Sequence, residues 1–290
     1  MDFSLSSEHE ILRESVRSFA ENEIQPVARE LDEKELFSYD TMRKMAELGL
    51  FGVFVSEKYG GQAMDYLSYI IAVEEIARVD GSHAATVAAE NSLGIGPLYY
   101  FGSEEQKKRY LPKLCKGEAL WGFGLTEPNA GSDASNSKTS AVLDGNEWVI
   151  NGSKIFITNA ATTITSGVTV LAKTGSRADG KPELSCILVE SGTPGFSARA
   201  MHGKMMWRAS NTAELYFEDC RVPKENLLGT RGNGFHQMMQ TLDGGRLSIA
   251  AMGLGGAQGC FDRAVRYANE REQFGRLRPH EGVRRRALLP

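Results

Sequence analysis

The chain of 290 residues is 41% apolar and 24% charged, the balance of a globular protein of about two domains, which excludes general disorder. Lys plus Arg number 33 against 37 Asp plus Glu, a net charge of −4 and the wrong sign for a protein that works on nucleic acid. Glycine is in excess at 31 residues, which points to close backbone approaches, many turns or both.

Cys115, Cys186, Cys220 and Cys260 form no CxxC pair, and five scattered histidines form no HExxH, so no metal site is expected. Isolated thiols suit a reducing, cytoplasmic setting. The opening Met1-Asp2-Phe3-Ser4 shows no basic or apolar leader, so no export or transit signal is expected. The longest uncharged run, Ile155 to Ala172, is rich in Thr, Asn and Gly and reads as strands rather than a membrane span.

In chain order, Ile11, Leu12, Val16, Phe19, Ile24 and Val27 recur at helical spacing and predict a helix ending near Pro26. Asp40 is placed to cap a short helix with Met42, Met45 and Leu48, stopped by Gly49. A third helix is expected from about Tyr66 to Val79, with Leu67, Ile70, Ile71 and Ile76 inward and Glu74 and Glu75 outward. Ser103-Glu104-Glu105-Gln106 has capping-box spacing and opens a helix through Tyr110.

Near Trp121 the texture changes to short β-branched runs. Asp144-Gly145 and Asn151-Gly152 flank Glu147–Ile150 and are both hairpin-turn signals. Val168–Ala172, Leu184–Val189 and Ala213–Phe217 complete a β-region ending near Pro223, and helical periodicity returns from Phe235 to Tyr267. The fold class is therefore α+β. Its expected parts are a helical domain at 1–118, a β-domain at 119–228, a partial helical domain at 229–275 and an atypical tail at 276–290.

That tail carries five Arg and one Glu, a net of +4 that leaves residues 1–275 at −8. It is either a genuine basic tail or an altered end, and its abruptness favours the second. Gly253-Leu254-Gly255-Gly256-Ala257-Gln258-Gly259 imitates a dinucleotide-binding loop. However, it follows no strand and has Gln258 where the third glycine belongs, so close helix packing explains it better.

The stretch with most chemistry is Gly122-Phe123-Gly124-Leu125-Thr126-Glu127-Pro128-Asn129-Ala130-Gly131-Ser132-Asp133, set where helices give way to strands. By residue type alone, it is either an ordinary polar turn or a ligand loop with hydroxyl, amide and backbone N–H donors. It resembles the first motif of the acyl-CoA dehydrogenases. Ser153-Lys154-Ile155-Phe156-Ile157-Thr158-Asn159-Ala160, Leu242-Asp243-Gly244-Gly245-Arg246 and Arg271-Glu272-Gln273-Phe274-Gly275 resemble later motifs of that family. Leu48-Gly49-Leu50-Phe51-Gly52 and Tyr59-Gly60-Gly61 also fit, in order and at family-like spacing.

The resemblance implies a helical domain, a central β-domain and the start of a C-terminal four-helix bundle, with FAD as cofactor. Phe123, Leu125, Thr126, Ser132, Phe156, Ile157 and Thr158 would form the flavin site, with Thr126 and Thr158 on the polar edge of the isoalloxazine and Phe156 packed on the ring. Ser132 would also meet the acyl-CoA near its phosphate and pantetheine. Asp243 and Arg246 would lie on the CoA adenine and phosphate side. Arg271, Gln273 and Phe274 would reach the FAD of a neighbouring subunit in a homotetramer.

The implied reaction belongs to fatty acid metabolism. A carboxylate removes the α-proton of an acyl-CoA thioester, hydride passes from the β-carbon to flavin, and electrons leave to an electron-transferring flavoprotein. In the short- and medium-chain types, the base is a Glu about 100 residues beyond Arg271, past Pro290. The isovaleryl placement falls here on Gly245 and is excluded. The chain is therefore expected to be an impaired or inactive form. The alternatives are a binding-only FAD or CoA relic, and an acyl-CoA oxidase or flavin monooxygenase on the same scaffold.

Glu90, in Ala89-Glu90-Asn91-Ser92-Leu93, replaces the His, Thr or small residue usual in the resembling family. It is expected to line the acyl pocket with a raised pKa, as a second acid or base. The alternative is that it faces solvent or pairs with an Arg.

Overall fold

The computed structural model describes residues 4–273 and 276–277. Phe274 and the tail from residue 278 lie outside the described residues. The chain runs from helices through one large sheet to a single long helix.

The first helical stretch comprises α1 (Ser7–Phe19), a π-helical segment (Ala20–Ile24) and α2 (Gln25–Lys34), so it does not end near Pro26. The Gln25 N–H reaches back to the Ala20 carbonyl, and the wide turn is made just ahead of the proline. Pro26 then falls at the start of α2, where a missing N–H breaks no helical bond. Val16, Ala20 and Ile24 face the core, whereas Ile11 of the expected stripe is exposed.

Helix α3 (Tyr39–Glu47) is capped by Ser38, whose Oγ accepts the Thr41 N–H at 3.2 Å. Asp40, the expected cap, sits in the first turn and pairs with Arg43 and Lys44. In α4 (Tyr66–Ala77), Leu67 is exposed and Glu75 is buried, the reverse of expectation. The Glu75 carboxylate meets Arg17 at 2.8 Å, a partner 58 residues away that no local stripe can reveal.

Helix α5 (Gly81–Ala89), a second π-helical segment (Glu90–Ile95) and α6 (Gly96–Phe101) have no counterpart among the expected elements. They are buried on nearly every side, so they carry no amphipathic period to read. Helix α7 (Glu104–Cys115) opens with the expected capping box of Ser103 and Gln106 and continues past Tyr110 to Cys115.

The sheet contains β1 (Leu120–Gly124), β2 (Ser140–Asp144), β3 (Glu147–Thr158), β4 (Thr165–Ser176), β5 (Pro182–Glu190), β6 (Phe196–Ala200), β7 (Thr212–Pro223) and β8 (Leu227–Leu228). Its order is β6-β7-β3-β2-β4-β5-β8, with β1 parallel to β4. Asp144-Gly145 turns β2 into β3 as expected. Asn151-Gly152 does not turn. It forms a bulge against β7 and β3 runs on, with Gly152 packed so closely on Thr139 that a Cβ there would stand 2.6 Å from Thr139 Oγ1.

Helix α8 (Gly234–Glu270) is one unbroken helix of 37 residues that lies along α4 in the same direction. A Cβ on Gly255 or Gly259 would come within 2.1 and 2.0 Å of the Glu74 and Arg78 carbonyl oxygens, so these glycines serve close helix packing. Short strands at 272–273 and 276–277 follow. Among the described residues, no helix is long and apolar enough to cross a membrane, and no cluster of metal-ligating side chains occurs.

Candidate active site

Where β1 runs into the loop of residues 125–139, β3 passes alongside, and the Ile155 N–H donates to the Thr126 carbonyl at 2.9 Å. A slot of about 160 Å³ forms there. Phe123, Leu125, Thr126, Phe156, Ile157 and Thr158 line it, together with Ala89, Leu93, Trp121 and Leu242 from the helices and β1. Most of the residues expected around an isoalloxazine therefore meet in one place.

A bulge in β3 between Lys154 and Ile157 puts Phe156 in the left-handed region at φ 62° and leaves its side chain 60% exposed. A non-glycine residue in that region costs about 1–2 kcal/mol, and such strain collects at ligand-holding positions. Thr126 and Thr158 are half-buried. Among the described residues, neither hydroxyl has a hydrogen-bond partner in the protein.

The loop behind the slot is locked by a buried ion pair. Lys154 Nζ lies 2.8 Å from Glu127 Oε1 and donates also to the Leu125 carbonyl and to Ser137 Oγ. Glu127 accepts from Ser137 Oγ at 2.5 Å and from the backbone N–H groups of Lys138 and Thr139 at 2.7 and 3.0 Å. Burial alone would raise the Glu127 pKa, but the Lys154 ammonium and these donors outweigh it and hold the carboxyl at about 2. Burial also pulls Lys154 below the ordinary lysine range, against the hold of Glu127. Both residues stand in the quoted motifs, yet nothing local to either one announces the pairing.

A second chamber of about 340 Å³ adjoins the slot and shares Ala89, Leu93, Thr158 and Leu242 with it. Its walls are largely apolar, with Ala85 and Ala88 on α5, Trp207, and Gly245 and Ile249 on α8. Arg246 borders it and pairs with exposed Asp243 at 2.5 Å. Among the described residues, no Asp or Glu lines either chamber.

The remaining expected residues lie elsewhere. Ser132 is exposed on the loop and lines neither chamber. Arg271 and Gln273 are exposed beyond the end of α8, and the Arg271 guanidinium lies over the Tyr267 ring and donates to its hydroxyl. Phe274 is outside the described residues.

Glu90 departs from both of its expectations. It is fully buried, so its carboxyl neither lines the larger chamber nor faces solvent, and among the described residues no Arg pairs with it. Oε2 accepts from the Trp121 N–H at 3.1 Å and from Asn159 Nδ2 at 3.2 Å, while Oε1 has no partner. Burial, opposed by those two bonds, raises its pKa to about 8, in the direction expected although in a different place.

The descriptions of the acyl-CoA dehydrogenase N-terminal, middle and C-terminal domains match residues 6–118, 122–220 and 232–288. A probable acyl-CoA dehydrogenase of Bacillus subtilis, YngJ, is 50% identical over 95% of this chain and 72% of its own length. A short-chain-specific acyl-CoA dehydrogenase of Clostridium acetobutylicum is 48% identical over the same shares. A chain in a solved structure of the electron transferring flavoprotein of Acidaminococcus fermentans superposes with a TM-score of 0.92 at 44% identity, covering 98% of this chain and 74% of that one. The slot, the adjoining chamber and these matches lead to one conclusion: the chain belongs to the acyl-CoA dehydrogenase family of FAD-dependent oxidoreductases.

Proposed function

We propose that the protein binds FAD in the slot and a short or branched acyl-CoA thioester in the adjoining chamber, the arrangement of a dehydrogenase that passes electrons to an electron-transferring flavoprotein, with turnover impaired because no carboxylate among the described residues lines either chamber to take the α-proton. The observation that carries this is the slot itself. It combines a strained, exposed Phe156 ring, an apolar floor and two unpartnered threonine hydroxyls, which suits a flat ring system with one polar edge. Bound FAD supplies the hydride-accepting chemistry of thioester oxidation.

The chain's own residues hold and exclude. Phe123, Leu125 and Ile157 keep water from the ring's apolar side, and Thr126 and Thr158 bond its polar edge. The methyl side chains of Ala85 and Ala88 and the bare backbone of Gly245 leave width for a branched or short acyl group in the larger chamber. Ser132 contacts the phosphate and pantetheine, while Arg246, oriented by Asp243, meets the adenine and phosphate end of CoA. Arg271 and Gln273 reach the FAD of a neighbouring subunit in a homotetramer, a role that for Phe274 rests on the motif resemblance alone. A role in fatty acid metabolism in the cytoplasm accords with the substrate class and the unpaired cysteines. The short-chain relative supports the acyl length, and the solved flavoprotein structure supports the electron acceptor.

The test is a titration of FAD followed by flavin fluorescence, then anaerobic addition of butyryl-, isovaleryl- and octanoyl-CoA to look for bleaching. Phe156→Ala is expected to weaken FAD binding about tenfold through loss of the ring contact, with circular dichroism unchanged. Identical titrations for Phe156→Ala and the wild type overturn the assignment of the slot.

A further inference from the structure

Glu90 opens the π-helical segment after α5, at the seam where three walls of the slot converge. Ala89 and Leu93, on either side of it in sequence, line the slot. So do Trp121 and Phe123 of β1, and Ile157 and Thr158 at the end of β3. The Glu90 carboxyl touches all three elements from behind. It belongs to the helical segment, accepts the β1 backbone through the Trp121 N–H at 3.1 Å, and accepts the residue after β3 through Asn159 Nδ2 at 3.2 Å.

The partners are themselves constrained. β1 pairs with β4 alone among the described strands, and the Trp121 N–H is satisfied by the carboxyl. Asn159 Nδ2 also donates to the Thr86 carbonyl at 3.2 Å, and the Asn159 carbonyl accepts Thr165 Oγ1 at 2.6 Å. One helical turn onward, a Cβ on Gly94 would stand 2.7 Å from the Trp121 carbonyl oxygen and 3.2 Å from Glu90 Oε1. Only glycine there lets β1 come this close.

We propose that Glu90 is the positioning residue of the slot, its single buried carboxyl fixing β1 and the end of β3 against the π-helical segment and so setting the separation of the slot's walls. The effect on the walls stands by itself, and the effect on FAD rests on the flavin reading of the slot. The groups around the carboxyl are the Trp121 N–H, the Asn159 amide and the Cys115 thiol of α7, and no ion pair reaches it among the described residues. It is therefore held as a neutral acid at pH 7.

The experiment compares the full chain with Glu90→Gln and Glu90→Ala by amide hydrogen exchange, with and without FAD. Glutamine keeps a carbonyl oxygen for both donors, and alanine keeps none. In Glu90→Ala, exchange at residues 119–125 and 155–160 is expected to rise about tenfold, with residues 182–190 unchanged, while Glu90→Gln shows no such rise. Unchanged exchange in Glu90→Ala, or an equal rise throughout the chain, overturns the proposal. Should Glu90→Ala not fold, Glu90→Asp, one methylene shorter, is judged by the same outcomes. FAD affinity is expected to fall about tenfold in Glu90→Ala and to hold in Glu90→Gln. A wild-type chain that binds no FAD removes the flavin reading alone, because the exchange arm needs no cofactor. Equal FAD affinity in wild type and Glu90→Ala, with the walls loosened, also overturns the proposal.

Discussion

Two carboxyls are buried beside the same slot, Glu127 in the loop after β1 and Glu90 in the helical segment after α5, and the protein treats them in opposite ways. Glu127 has a lysine 2.8 Å away and is held ionised, at about 2. Glu90 has two neutral donors and, among the described residues, no cation, and is held protonated, at about 8. Burial pushes both pKa values upward, so the ammonium decides the difference. The loop has no ladder of its own and is gathered around a charge that accepts several donors at once. The helical seam already has its backbone bonds and uses a neutral group to join neighbours.

The comparison is broken most severely from the Lys154 side. Lys154→Met keeps the volume but leaves Glu127 as an uncompensated buried charge, and is expected to cost about 3–5 kcal/mol in chemical denaturation. A loss under about 1 kcal/mol would show that the backbone donors suffice without the cation.

Changing the pH separates the two carboxyls by sign. The folded pKa of Glu90, about 8, lies above the ordinary 4.5, so its contribution is present in acid and is lost as pH rises through about 8. Glu127, at about 2, lies below 4.5, so its contribution is present above 4.5 and is lost as pH falls toward 2. Glu90→Gln should therefore be more stable than the wild type, by a margin that grows between pH 5 and 8 to on the order of 3 kcal/mol and then levels. Thermal melting across that range measures it, and a margin independent of pH would mean that Glu90 is not a neutral acid. The smallest change is Gly94→Ala, whose new methyl must push β1 away from the seam at about 1–3 kcal/mol, measured by the same melting series. A neutral Gly94→Ala would mean that the seam yields freely and that the close approach is incidental.

The fold was legible in the sequence wherever the signal is local. The capping box at Ser103 and Gln106, the Asp144-Gly145 turn and the stop at Gly49 all depend on a few consecutive residues, and all stand as expected. Reading failed where a distant partner overrides local preference. Asn151-Gly152 has turn chemistry, but Thr139 needs the space its glycine leaves. Glu75 looks like an outward residue until Arg17 arrives from another helix. The slot residues were found through motif resemblance, because spacing alone does not bring Thr126 beside Thr158. The raised pKa of Glu90 was foreseeable from an acid in an apolar stretch. Its orientation was not, because a π-helical segment turns side chains away from the positions that a regular α-helical period assigns them.

The glycine contacts between α4 and α8 have a consequence for the larger chamber. At Gly255 and Gly259, helix α8 rests on the bare backbone carbonyls of Glu74 in α4 and of Arg78 just past its end, and the same helix carries Leu242, Gly245, Arg246 and Ile249 to the chamber wall. The breadth of the chamber is thus calibrated six and ten residues beyond Ile249, the last residue of the helix that lines it. The calibration lies in two places where the protein has no side chain at all.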